Sequence, residues 1–181
     1  MTVGANGEAG MSSETPATDV VPMEVMLSYD GLGFLRAMIE GRLPPPPITA
    51  TLGFSLVEAD EGRAVFAGVP EFRHYNPIGT VHAGFAATLL DSAVACAVQS
   101  TLAKGEAYTT LELKLNLVRP LTRQTGLVKA EGRILHRGSS VATAEGELRD
   151  GAGKLYAHAT TTCLIFKPRS AASEGEDRSS A

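Results

Sequence analysis

The stretch Phe85-Ala86-Ala87-Thr88-Leu89-Leu90-Asp91-Ser92-Ala93-Val94-Ala95-Cys96-Ala97-Val98 is the longest apolar run of the chain, and its reading decides the fold. With its flanks it makes a helix-compatible segment over about 83–102. Apolar side chains occur all round such a helix, so it is predicted to be buried on nearly every side. Thr88, Asp91, Ser92, Ala95 and Gln99 recur at spacings of three and four and share one stripe. Thr88, Asp91 and Ser92 also interrupt the run, which removes it as a candidate membrane span.

C-terminal to this helix lie four strand candidates, 108–118, 125–136, 140–149 and 154–166, with Pro120, Gly138 and Asp150-Gly151 in the turns. Leu111, Leu113, Leu115 and Leu117 alternate with Glu112, Lys114 and Asn116, the period-two pattern of a sheet with unlike faces. On the N-terminal side a Pro- and Gly-containing loop, 75–81, follows two strand-like runs, 54–59 and 64–69, joined at Asp60-Glu61-Gly62. The order β-β-α-β-β-β-β predicts an α+β fold, a curved antiparallel sheet of about six strands wrapped around the long central helix. Earlier still, Leu32, Leu35, Met38 and Ile39 have helical spacing after Asp30 and stop at Gly41. A helix over about 30–40 is therefore expected, strapped across the body. The prolines Pro44, Pro45, Pro46 and Pro47 then predict an extended polyproline spacer.

The 181 residues suit one domain, assigned to 23–167. Residues 1–22 and 168–181 are polar tails too poor in apolar side chains to offset their ordering entropy, and both are expected to be disordered. The tails also hold the net charge of −4: removing their six acids and two bases from 20 and 16 leaves 14 of each. A neutral body without a Lys/Arg cluster argues against nucleic acid and against a polybasic membrane anchor. The first residues carry neither Lys or Arg nor an apolar block, so they are not read as a secretory signal. Cys96 and Cys163 lack metal-type spacing, and a reduced cytoplasmic setting is the simplest expectation.

No Gly-x-Ser-x-Gly elbow, phosphate-binding glycine loop, His-Glu-x-x-His or paired-Cys motif occurs. No metal and no cofactor are expected. His74, His136 and His158 read as surface or strand residues. Asp91 stands apart, a carboxylate at the centre of the most hydrophobic segment. Burial of a charge demands a partner. Asp91 is therefore either a structural residue bonded to Thr88 or nearby backbone, or a base or nucleophile tuned by an apolar cleft. The start of the helix adds weight to the second reading. His82-Ala83-Gly84 opens it, first-turn N–H groups can stabilise a developing oxyanion, and small residues let a carbonyl approach.

Asn76-Pro77-Ile78-Gly79-Thr80-Val81-His82-Ala83-Gly84, with Asp91 nine residues after the His, resembles the motif of the PaaI-type hotdog-fold acyl-CoA thioesterases. The stretch 109–116, Thr109-Thr110-Leu111-Glu112-Leu113-Lys114-Leu115-Asn116, followed by Arg119-Pro120, is similar to that family's strand after the helix. The resemblance covers roughly residues 50–166 and implies hydrolysis of an acyl-CoA by a hotdog homo-oligomer. It implies Asp91 as the acid that activates water or attacks the thioester carbonyl, and Gly84 and Ala83 as oxyanion N–H donors. Asn76 would position water or leaving group, and His82 would polarise the carbonyl or fix the loop. Thr110, or its neighbour Thr109, would supply a hydroxyl. Ala83 stands in place of the family's first glycine. Arg137-Gly138-Ser139-Ser140 resembles the family's turn near the nucleotide of coenzyme A, with Ser139 where relatives often carry Lys or Arg; Arg119 and Arg123 could compensate. Two rival classes are an acyl-thioester dehydratase or hydratase, whose usual Asp-then-His pattern is not found here, and a non-catalytic acyl-CoA-binding module.

Gly84 and Asp91 lie seven residues apart, about 10 Å along a helix. One thioester cannot readily use both on one helix, so a two-fold dimer with antiparallel copies, sharing two sites, is expected. The family resemblance implies the same arrangement, with dimers pairing further into tetramers.

Overall fold

Six antiparallel strands form one curved sheet in the order β1-β2-β4-β5-β6-β3, and a single long helix packs against its inner face. In the computed structural model, which describes residues 20–168, the elements are α1 (Met23–Ser28), α2 (Gly31–Ile39), α3 (Pro47–Leu52), β1 (Phe54–Asp60), β2 (Arg63–Gly68), α4 (Ala83–Gln99), β3 (Ala107–Leu117), β4 (Val128–Arg137), β5 (Val141–Asp150) and β6 (Leu155–Phe166). The two polar tails, apart from residues 20–22 and 168, lie outside the described residues.

The alternation along β4, β5 and β6 sends Val128, Ala130, Ala144, Leu148, Ala157 and Ala159 inward against α4. Helix α4 answers with Phe85, Leu89, Leu90, Ala93, Val94 and Val98, all buried. Small residues dominate the sheet's inner positions because the helix lies close to it. The tightest point is the cross-strand pair Gly132 and Gly146. A Cβ on Gly132 would lie 2.2 Å from the Ala93 carbonyl oxygen, and one on Gly146 would lie 2.7 Å from a Val94 methyl. The contact at Gly132 is with backbone, which cannot swing aside. Gly132→Ala is therefore expected to lower stability by at least about 3 kcal/mol, the upper range for overpacking, although alanine is otherwise tolerated in strands better than glycine. Chemical denaturation checks this. A midpoint within error of the parent would mean the sheet can move off the helix at no cost.

The stripe predicted on α4 is open only in its first two-thirds. Thr88, Asp91 and Ser92 are half-buried, whereas Ala95 and Gln99 are buried. The reason is α2. Gly31 sits so close that a Cβ there would fall 1.6 Å from the Gln99 carbonyl oxygen, and its N–H donates to the Leu102 carbonyl at 2.9 Å. Asp30 caps α2 by accepting from the Gly33 N–H at 2.6 Å, and Leu35 and Ala37 are fully buried beneath it.

The proline run is extended through Pro46, but Pro47 opens α3, because the first helical position needs no N–H and suits proline's φ. Helix α3 ends at Gly53, whose φ of +65° closes it in the left-handed region. The edge strand β3 is exposed along much of its length, with Leu111 and Leu117 more than half exposed.

Candidate active site

The loop leading into α4 is fastened by one side chain. Asn76 Oδ1 accepts from the N–H groups of Ile78 and Thr80, each at 3.1 Å, and its Nδ2 donates to Thr80 Oγ1 at 2.8 Å. Gly79 takes a φ of +86° at the turn, which a side chain would resist. His74 supports the loop from beneath. It is buried in a short 3₁₀ turn rather than lying on the surface or in a strand, because its ring stacks on Phe85 with centroids 4.6 Å apart. Its Nδ1 accepts from the Glu71 N–H at 2.9 Å, and its carbonyl accepts from the His82 N–H at 2.7 Å. Burial, seconded by Arg73, holds the His74 ring below the ordinary histidine range, so it is neutral at pH 7.

His82 is the N-cap of α4, and its Nδ1 accepts from the Gly84 N–H at 2.9 Å. A ring nitrogen that accepts carries no proton, so Nε2 is the ring atom of this exposed residue left to face outward as a donor. Of the two amides expected to serve an oxyanion, that of Gly84 is thus engaged by its own chain. The Ala83 N–H has no acceptor among the described residues. Asn76, Thr80 and Ala83 line a cleft of about 290 Å³ with Val118, Arg119 and Tyr156.

Asp91 lies two turns further along α4, in a different cleft of about 540 Å³ that it shares with Ser92, Cys96, Tyr108, Thr110 and Phe66. Among the described residues its carboxylate has no hydrogen bond and no ion pair. Thr88, a possible structural partner, instead donates its hydroxyl to the Gly84 carbonyl at 2.8 Å. Burial raises the Asp91 carboxyl above the ordinary carboxylate range. Burial, with Asp91 as a lesser cause, also pushes the Cys96 thiol up to about 12, so Cys96 is a neutral wall rather than a nucleophile.

Thr110 reaches this cleft through an irregularity in β3. Thr110 pairs with Cys163 and Glu112 with Thr162, which leaves Leu111 as an extra residue without a partner on β6. Strict alternation with Leu113, Leu115 and Leu117 facing inward would turn Thr110 outward. The bulge puts Thr110 on the same side as its neighbour in register, the buried Cys163, and Thr110 itself stays exposed at the cleft. The Thr161 hydroxyl donates to the Glu112 carbonyl at 2.7 Å and pins the bulge. Thr109 pairs with Leu164 and is not part of the cleft wall.

The structure therefore groups Asp91 with Thr110 and groups Asn76 with Ala83, and it keeps the two groups in separate clefts of one chain. Arg137, Gly138, Ser139 and Ser140 line neither. Arg137 is bound to Glu106 at 2.7 Å, and the Gly138 N–H donates to the Val141 carbonyl at 2.9 Å. Arg119 belongs to the Asn76 cleft, and the Arg123 N–H donates to the Tyr75 hydroxyl at 2.9 Å. Among the described residues no group of three or more His, Cys, Asp and Glu could hold a metal ion, and no helix is long and apolar enough to cross a membrane.

The family model of the thioesterase superfamily matches residues 78–157, from the loop before α4 into β6. A 1,4-dihydroxy-2-naphthoyl-CoA hydrolase of Listeria monocytogenes is 26% identical over 119 residues, covering 66% of this chain and 95% of the relative. The crystal structure of a phenylacetic acid degradation-related protein from Ralstonia eutropha is 34% identical, with a TM-score of 0.65 over 72% of this chain and 98% of that one. That of a variant of the phenylacetic acid degradation protein PaaI from Thermus thermophilus is 31% identical, with a TM-score of 0.59 over 65% of this chain and 97% of that one.

Proposed function

This chain belongs to the thioesterase superfamily as a PaaI-like hotdog thioester hydrolase, and from that premise we propose that it splits acyl-CoA into free acid and coenzyme A with Asp91 as the catalytic carboxylate. The observation that carries the assignment is the unpartnered Asp91 carboxylate in a mostly apolar cleft. The half-buried carboxylate lines this cleft with no donor among the described residues to hold it, so it is free to engage a reactant there. In the reaction, Asp91 takes a proton from water as the oxygen adds to the thioester carbonyl, or adds to that carbon itself. The carbon–sulfur bond then breaks. In the first case the departing sulfur takes back the proton held by Asp91. In the second a water hydrolyses the acyl–Asp91 anhydride, releasing the free acid, restoring Asp91 and supplying the proton of the thiol. Thr110 shares the cleft and orients the water or acyl group.

The developing oxyanion needs donors, and α4 supplies them at its other end. Ala83 and Asp91 are eight residues apart, about 12 Å at 1.5 Å per residue. A second protomer with α4 antiparallel to the first brings the Ala83 amide and His82 Nε2–H of one chain beside Asp91 of the other. This unites the two clefts, twice per dimer. The exposed edge of β3, with Leu111 and Leu117, supports the same pairing, since an unpaired edge is a template for a second copy. Asn76 acts by holding the loop that presents Ala83. Coenzyme A enters over the loop, with Arg119 as a phosphate partner, and the turn at Arg137, Gly138, Ser139 and Ser140 is a further candidate contact.

A thiol-release assay over a panel of acyl-CoAs tests the reading. Free thiol appearing with the acid is the expected result. Hydration without thiol, or binding without turnover, contradicts it. The pH profile is a second check. Because the working carboxylate must be ionised, log kcat/KM should fall as pH drops through the Asp91 value, and burial places that limb above the range of an exposed aspartate. A flat profile down to the ordinary carboxylate range would remove Asp91 from the chemistry.

A further inference from the structure

We propose that the segment 38–49, which runs from the end of α2 through the prolines into α3, is the wall against which the acyl group is selected by size. The proposal rests on the thioesterase reading above and adds the substrate class. The cleft that holds Asp91 has two unlike sides. Helix α4 and strand β3 contribute Asp91, Ser92, Tyr108 and Thr110, while α2, the proline run and α3 contribute the boundary Met38, Ile39, Pro45, Pro46 and Thr49, next to Ser55 and Leu56 of β1. That boundary carries no charge, and its prolines have no N–H. The Thr49 hydroxyl is occupied, donating to the Pro46 carbonyl at 2.7 Å. A thioester carbonyl set at Asp91 therefore directs its acyl group at a surface with no charged side chain to pair with a charged tail and few polar groups. The class that fits is an uncharged, apolar acyl group.

The wall is fixed at both ends, as a size filter requires. Leu35 and Ala37 anchor α2 in the core, and the N–H groups of Arg42 and Leu43 both donate to the Ala37 carbonyl, at 2.9 and 3.1 Å. Beyond it, Thr49 is buried and its N–H donates to the Pro46 carbonyl at 3.0 Å. Between these anchors stand four prolines with restricted backbone. The segment precedes residue 78, where the family match begins, so the filter is built from a part of the chain outside the matched region.

The test compares kcat/KM for a series of straight-chain acyl-CoAs from acetyl to palmitoyl, together with benzoyl- and phenylacetyl-CoA. Wild type should rise with apolar size and then fall where the acyl group meets the wall. Met38→Ala combined with Ile39→Ala should move that maximum to larger groups, raising the long-to-short ratio by about fourfold for each extra methylene accommodated. Ile39→Phe should move it to smaller ones. Ile39 is 41% exposed, so its replacement spares the core. Opposite shifts from widening and filling establish the filter. Unchanged ratios, or changes that scale every substrate alike, overturn it. Absence of thiol release by wild type from every substrate would instead overturn the thioesterase reading, and the filter with it.

Discussion

Asp91→Asn should lower kcat by about 10²–10⁴, the usual contribution of a positioned base, with the fold and acyl-CoA binding retained. The substitution keeps the volume and removes only the charge. It should also hold or raise the melting temperature at neutral pH. The Asp91 carboxyl is raised in the folded state, so it binds its proton more tightly folded than unfolded. Ionised Asp91 therefore destabilises the fold above its raised value, and that loss is relieved as pH falls through it. The asparagine variant carries no such charge, so its advantage over wild type should shrink on acidification. Steady-state kinetics and thermal melts at two pH values read both effects. An Asn variant keeping more than about a tenth of the parent kcat would make Asp91 structural.

The parts of the molecule legible in the sequence are those where one physical signal acts alone. The run around Leu89 and Leu90 is apolar on every side, and a helix of that kind must be enclosed; the sheet encloses it. Asp91 was visible because a charge within such a run has few explanations. Helices α1 and α3 were not, since six residues are too few to display a period and prolines dominate the approach to α3. Alternation from Leu111 to Leu117 identified a strand but could not show that Leu111 is an extra residue, because a bulge leaves the hydrophobic pattern intact on its far side. That single residue decides between Thr109 and Thr110. The engaged Gly84 amide was equally hidden. It depends on the His82 ring turning back onto the first turn, which no spacing rule specifies. The burial of Gln99 and His74 comes from partners distant or out of sequence register, Gly31 and the Phe85 ring.

In the proposed dimer, one active site takes Asp91 from one chain and the loop fastened by Asn76 from another. Asn76→Ala releases three hydrogen bonds of that loop and should disable the Ala83 side of the site, while Asp91→Asn disables the other. Each variant alone should be nearly inactive. When equal amounts are mixed and allowed to exchange subunits, random pairing makes half the dimers mixed. Each mixed dimer then contains one site intact at both positions and one damaged at both. About a quarter of the wild-type activity should return, with the sites acting independently. Native mass spectrometry confirms the exchange in the same sample. Recovery near that level is the predicted result; a fully exchanged mixture that stays inactive would place Asn76 and Asp91 in the same site of one chain and contradict the shared architecture.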